Sequence, residues 1–520
     1  MIQDLLSIAL GIGFLSLTHS LYKARQPSRP GPPGYPLVGN LLQLGSRPLA
    51  RMADWAKLYG DIYYLRMGFI DWMIVSTPEA MHDVLSRQGA TFASRPHQLV
   101  LGDILSNGSR GVVAAPYGPS WNTNRRFFNS ALSKLSIQNY QDSLTYESRH
   151  LCRNLLAGME QHGSKGFPIH QYNQAYAFNI ILTMSYGVRF DSPDHPRCAE
   201  QLQVNDDIFH MIGPSYMILD LLPFLRYVLP HLERNARRLH TRLYTFVRER
   251  FTQFCRDEAN VNARIPNTMS KYLAAAVRKG ELTEEDAHVT LAEAFAAGLD
   301  NSSSTLSWLT FILAVHVDVQ KKAQEEMDRV VGRDRMPTQE DLALLPYLRC
   351  ILQEAMRFRG PAQVLFPRAT TEDTVYRGVT IRKGTWVMPS IYAAHRVFSP
   401  LADPDVFRPE RWESNPKTLV EEVTGKQGER INWNFGGGRR VCPGLHLADL
   451  SLSLTLAQFI WCFTIRPGDG ENISLEAMGN GTNISPPEWR VQFIPRGDDV
   501  RQMLLTEGST TRATTLEEGE

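Results

Sequence analysis

The chain has 520 residues, 43% hydrophobic and 10% aromatic, which suffices for a large buried core and excludes a disordered or fibrous class. Lys and Arg total 55 against 54 Asp and Glu with no long basic block, so no nucleic-acid partner is expected. Six scattered cysteines (Cys152, Cys198, Cys255, Cys350, Cys442 and Cys462) form no CxxC pair, which argues against a disulfide-stapled secreted module and for a reducing, cytosol-facing location.

The first element is "LLSIALGIGFLSLTHSLY", Leu5 to Tyr22, uncharged, about long enough to span a bilayer and followed by Lys23, Arg25 and Arg29. It predicts a retained transmembrane anchor over residues 1–24, because a cleaved signal peptide would carry its basic flank before the apolar run. The sequons at Asn107, Asn472, Asn480 and Asn483 are then expected to stay unmodified. Residues 25–40, "RQPSRPGPPGYPLVGN", predict a stiff proline-rich linker. Residues 41–505 show no internal repeat and read as one large domain, and the polar residues 506–520 read as a disordered tail.

Within the domain, "YGPSWNTNRRFF" places Trp121 and Arg125 four residues apart, on one helix face. A long helix is predicted from Thr283, with Asp286 completing its cap, through "EEDAHVTLAEAFAAGLDNSSSTLSWLTFILAVH". It is too apolar for a surface helix and should cross the core. A second helix is predicted over "QEDLALLPYLRCILQEAMRFR", stopping before Gly360 and Pro361, with Glu354 and Arg357 paired on one face. Strand patterns cluster in "DTVYRGVTIRKGTWVMP". The class is mainly α with a smaller β part.

In "NWNFGGGRRVCPGLHLADL", Cys442 lies between a glycine run and an apolar helix. Gly436, Gly437 and Gly438 would let the backbone pass close to a flat ring. Pro443 suits the first helical turn, where N–H groups and the helix dipole favour a thiolate, and Arg440 suits a carboxylate. On these residues alone Cys442 is also open to being a packed core thiol, or a zinc ligand with His446.

"FGGGRRVCPG" resembles the haem-binding signature of the cytochrome P-450 superfamily, with Phe435, Gly438, Arg440, Cys442 and Gly444 at its fixed positions. "KKAQEEMDRVVG" and "DPDVFRPERW" are similar to the fungal secondary-metabolism branch, of the O-methylsterigmatocystin oxidoreductase type. The resemblance implies the cytochrome P-450 fold and haem b (iron protoporphyrin IX), with Cys442 as axial thiolate and metal ligand. It also implies Arg440, Trp121, Arg125, Arg368 and Arg95 around the haem propionates, and a structural triad of Glu354, Arg357 and Arg411. The implied substrate pocket uses Phe295, Ala296 and Ala297, the strip Ala362 to Phe366 with Val364 and Leu365, the segment His97 to Tyr117, and the loop near Thr482. Phe295 is equally open to being core filler.

In "AAGLDNSSSTL" the resemblance gives Gly298 the task of leaving room beside the iron and Asp300 that of relaying protons, but Asn301 stands where the family usually has threonine. An amide donates a hydrogen bond yet carries protons poorly, and Ser302 lies about 100° further around the helix. Three readings stay open: hydroxylation sustained by a water or a substrate hydroxyl, oxidative coupling or rearrangement without net oxygen insertion, and simple drift. Val317 replaces a proline common in relatives and should blur a helix break. The implied activity is monooxygenation of a lipophilic small molecule, with dioxygen and electrons from an NADPH-cytochrome P-450 reductase. The implied setting is the endoplasmic reticulum membrane, single-pass, with a cytosolic catalytic domain; a non-catalytic haem-binding protein is the remaining alternative. Arg125, Arg126 and Arg439 would attract an acidic reductase.

Overall fold

The computed structural model describes residues 29–259, 267–426, 428–476, 485–506 and 514–515. The expected anchor, Thr482 and most of the expected tail lie outside them. Six helices position the site: α1 (Pro119–Ala131), α2 (Gln141–His162), α3 (His170–Tyr186), α4 (Glu284–Val315), α5 (Pro346–Arg359) and α6 (Leu445–Cys462). A four-stranded sheet flanks them, with β1 (Ile62–Met67), β2 (Ile70–Val75), β3 (Arg368–Ala369) and β4 (Trp386–Pro389) in the order β1-β2-β4-β3. Strands β1 and β2 are antiparallel, β2 and β4 parallel, β4 and β3 antiparallel. The sequence reading passed over β1 and β2; both are largely buried on their two faces, which removes the polar alternation that marks a strand.

Helix α4 opens as its cap predicts: Thr283 Oγ1 accepts the Asp286 N–H (3.1 Å) and Asp286 returns the bond to the Thr283 N–H (3.1 Å). Apolar almost all round, it runs through the core against α3. It ends at Val315 and a new helix begins at Val317, so the break expected to blur is intact without a proline. Side chains hold it: the His316 ring pairs with Ile312 O (2.9 Å), and the Gln320 amide donates to Leu313 O (3.3 Å) and Ile465 O (3.0 Å).

The second predicted helix is two elements. A short turn over Gln339–Leu344 precedes α5, and Pro346 opens α5 because its missing N–H costs nothing there. The next two N–H groups, of Tyr347 and Leu348, donate to Glu326 (3.0 and 3.1 Å). The described part of the linker lies on the sheet rather than standing off it: Tyr64 N–H donates to Pro30 O (2.8 Å) and Arg66 N–H to Asn40 Oδ1 (2.7 Å).

Candidate active site

A cavity of about 1330 Å³ lies between α4, the Ala362–Arg368 strip and the Phe435–Gly444 loop. Its α4 wall consists of Glu293, Ala294, Ala297, Gly298, Asn301, Ser302 and Thr305, and Val364 and Leu365 face it as expected. Phe295 does not reach it. That ring stands edge-on to Phe178 (centroids 5.1 Å apart, 89°) in the core, and Ala296 also packs against the core. Asp300 is buried and does not line the cavity either. Gly298 is at the wall, but the space its missing side chain leaves is filled by Ile181 of α3, whose Cδ1 a Cβ at 298 would overlap. At this position the missing side chain admits the neighbouring helix. The Asn301 amide donates to Ala297 O (2.9 Å), and the Thr305 hydroxyl donates to Asn301 O (2.7 Å). Ser302, judged too far around the helix, is on the wall as well, because the cavity spans a wide arc of α4.

Cys442 is at the opposite side of the same cavity, with Phe435, Gly436, Arg440 and Gly444. Its N–H donates to Phe435 O (2.9 Å) and closes the loop. Helix α6 starts only at Leu445, with Gly444 as its cap, so Pro443 precedes the first turn rather than occupying it. Burial pushes the Cys442 thiol up, while the Gly444 N–H and the Arg125 guanidinium pull it down. Gly438 (φ +60°) does not line the cavity; a Cβ there would overlap Leu85 O, so this glycine admits the Asp83–Arg87 segment. Among the described residues no group of three or more His, Cys, Asp or Glu could hold a metal, which leaves the zinc reading with His446 without a ligand set.

Four arginines, Arg125, Arg368 and Arg440 buried and Arg95 half-buried, meet beside the cavity, and among the described residues no carboxylate is bonded to any of them. Arg440 donates to Ala93 O (2.7 Å), Val112 O (2.8 Å) and Ala115 O (2.6 Å). Arg95 donates to the carbonyls of Val113 (2.7 Å), Phe366 (2.9 Å) and Pro367 (2.7 Å). Arg368 donates to Gly437 O (2.8 Å), while its buried Nη1 has no partner. Arg125 donates to Val441 O, and the Trp121 indole to Val112 O (3.1 Å). Burial first, then mutual repulsion, pushes Arg440 down to about 8 and Arg368 to about 9; burial pushes Arg95 down to about 10. Such a cluster suits a ligand with more than one carboxylate. Its burial also withdraws Arg125 from the surface proposed for a reductase, where Arg126 pairs with Glu281 (2.8 Å) and Arg439 remains exposed.

Behind the site, Glu354 accepts two bonds from Arg357 (2.9 and 2.7 Å) and one from Arg411 (3.0 Å), as the triad requires. The sequence reading missed two further donors to it, the Trp412 indole (2.9 Å) and the Arg408 N–H (3.0 Å). Trp412 closes the same "PERW" motif that supplies Arg411, so the signal was present.

The sequence profile of the cytochrome P-450 family matches residues 29–492. The chain is 31% identical over 503 residues to cytochrome P-450 monooxygenase 105 of Postia placenta, covering 93% of this chain and 92% of that protein. It is 29% identical over 480 residues to cytochrome P-450 monooxygenase verL of Clonostachys rogersoniana, covering 90% and 87%. A solved zebra fish cytochrome P-450 with progesterone superposes with a TM-score of 0.73 at 24% identity, over 86% of this chain and 99% of that one. The chain therefore belongs to the cytochrome P-450 family and has its fold. It is a haem-thiolate monooxygenase. The charge of the site agrees: haem carries two carboxylates, and among the described residues no carboxylate is bonded to the four arginines and the buried Arg368 Nη1 has no hydrogen-bond partner.

Proposed function

We propose that this monooxygenase oxidises a lipophilic small molecule in fungal secondary metabolism, with dioxygen and with electrons from a membrane-bound, NADPH-dependent reductase. The cavity carries the reading. At about 1330 Å³ it has room for the haem and a substrate, and Leu101, Phe209, Met217, Val364 and Leu365 give it an apolar lining. Similarity to fungal monooxygenases supports the metabolic setting. The apolar Leu5 to Tyr22 segment supports a membrane-anchored enzyme at the endoplasmic reticulum with its body in the cytosol.

Cys442 would hold the haem iron through its thiolate, and Arg440, Arg368, Arg95, Arg125 and Trp121 would hold the haem carboxylates. When bound, the haem supplies dioxygen activation, which thiolate ligation favours. The chain supplies the rest. Val364, Leu365 and Ala297 hold the substrate by apolar contact and exclude water. Proton delivery at the cavity wall falls to the Ser302 and Thr305 hydroxyls, which line the cavity that Asp300 does not. The tying of the Asn301 amide to Ala297 O favours one second reading, coupling or rearrangement without net oxygen insertion.

The test begins with the reduced carbon monoxide difference spectrum of the full-length enzyme beside Cys442→Ala. A red-shifted Soret band that disappears in the variant supports the ligand assignment; haem-loaded wild type lacking the band refutes it. Oxygen-18 from dioxygen in the product then separates hydroxylation from the second reading.

A further inference from the structure

Glu293 lies on α4 two turns before Asn301 and is the carboxylate of that helix that reaches the cavity wall. It is buried, and among the described residues no arginine donates to it. Its Oε2 accepts the Val112 N–H (2.7 Å) and its Oε1 the Val113 N–H (2.9 Å). The turn it grips is polar on both sides. The carbonyls of Val112 and Ala115 accept from Arg440, that of Val112 also from Trp121, and that of Val113 from Arg95. The 112–113 peptide thus stands between the Glu293 carboxylate at its Val113 N–H and the Arg440 guanidinium at its Val112 C=O, with the Val112 N–H and the Val113 C=O held by Glu293 and Arg95 on the peptides either side. In that alignment each end polarises the other and fixes the plane of the peptide. Gly111 (φ +76°) completes the fit, because a Cβ there would sit 2.5 to 2.7 Å from the Glu293 carboxylate.

We infer that Glu293 is a positioning residue for the haem carboxylates. It acts through the Gly111–Ala115 turn, whose carbonyls hold Arg440 and Arg95 in place, while its own carboxylate, bonded to neither guanidinium, offsets their charge only through space. The inference rests on the proposed assignment of Arg440 and Arg95 to those carboxylates. Without Glu293 two buried N–H groups lose their acceptor, the peptides rotate to find another, and the carbonyls leave the guanidiniums. A role in binding a cationic substrate fits less well, because both oxygens are already engaged by the turn.

The test is a double-mutant cycle on the holoenzyme, read as the rate of haem transfer to excess apomyoglobin and as the fraction of the thiolate-type carbon monoxide band retained. The variants are Glu293→Gln, Arg440→Ala and the pair. Each single change is expected to speed haem loss, Glu293→Gln by about tenfold. The pair should lose haem faster than either single variant yet clearly less than the product of the two single effects, since Glu293 works through Arg440 and, by way of the same turn, Arg95. Multiplied rates in the pair, or no effect of Glu293→Gln where Arg440→Ala has one, overturn the inference. No effect of Arg440→Ala overturns the arginine assignment beneath it. Should Glu293→Gln fail to yield holoenzyme, Gly111→Ala, which presses on the same carboxylate from the turn, takes its place in the cycle with the same criteria.

Discussion

Glu354 and Glu293 are both buried carboxylates on long helices beside the haem site, and their partners differ in kind. Glu354 is surrounded by two guanidiniums, an indole and a peptide N–H. Glu293 holds only peptides, and burial pushes it up to about 7 against those N–H groups and the more distant Arg440. A carboxylate that meets opposite charge directly locks two segments together. One that meets only peptide dipoles shapes a turn and leaves the opposite charge for something else to meet.

Breaking the first kind should have the largest effect. Arg357→Ala removes two charge-assisted bonds from a carboxylate with no exposed surface, and is expected to cost about 3–5 kcal/mol in denaturant unfolding. Trp412→Phe removes one neutral donor from the same carboxylate and should cost about 1–3 kcal/mol by the same measurement. Equal losses in the two variants would show that the charge of Arg357 contributes nothing special.

His395 sharpens the comparison through pH. Its ring accepts the Trp433 N–H (3.1 Å) and pairs with Arg357 O (3.2 Å), and burial, with Arg357 next, holds it down to about 3. The folded value is below the unfolded one, so the unfolded chain binds the extra proton as pH falls below about 6.5. Stability is then full above that pH and is lost on acidification toward about 3, by up to ~1.4 kcal/mol per pH unit. Thermal unfolding of His395→Gln should show a shallower acid slope than wild type over that window; parallel slopes would exclude His395 as the source.

The smallest effect is expected on the cavity wall. Asn301→Thr should leave the unfolding free energy within about 0.5 kcal/mol, since neither side chain locks two elements together. It should raise product formed per NADPH consumed a few-fold, equivalent to about 1 kcal/mol. An unchanged ratio, with Ser302→Ala lowering it, would place proton delivery on Ser302 alone.

What the sequence disclosed follows the same division. Side chains that act on other side chains at short spacing could be read directly, as with Glu354 and Arg357, or Cys442 within its loop. Glu293 could not, because its partners are main-chain N–H groups 181 and 180 residues away that leave no trace in residue identity. The available signal was an acidic residue well inside a largely apolar helix, a signal Asp300 shares. Phe295 failed for another reason: on a helix buried all round, periodicity does not distinguish a core face from a cavity face. Asp300 and Gly438 matched a motif by position, yet in space they face α4's buried surroundings and Leu85 rather than the cavity.

The Gly298 contact carries a consequence for redesign. Since Ile181 on α3 occupies the notch that α4 leaves open, the contour of the cavity beside Gly298 is cut from the second layer of the molecule. Trimming Ile181 to valine would deepen that notch by a methylene-sized increment while every residue of α4 stays native. Substrate range could then be widened by a residue that no motif marks.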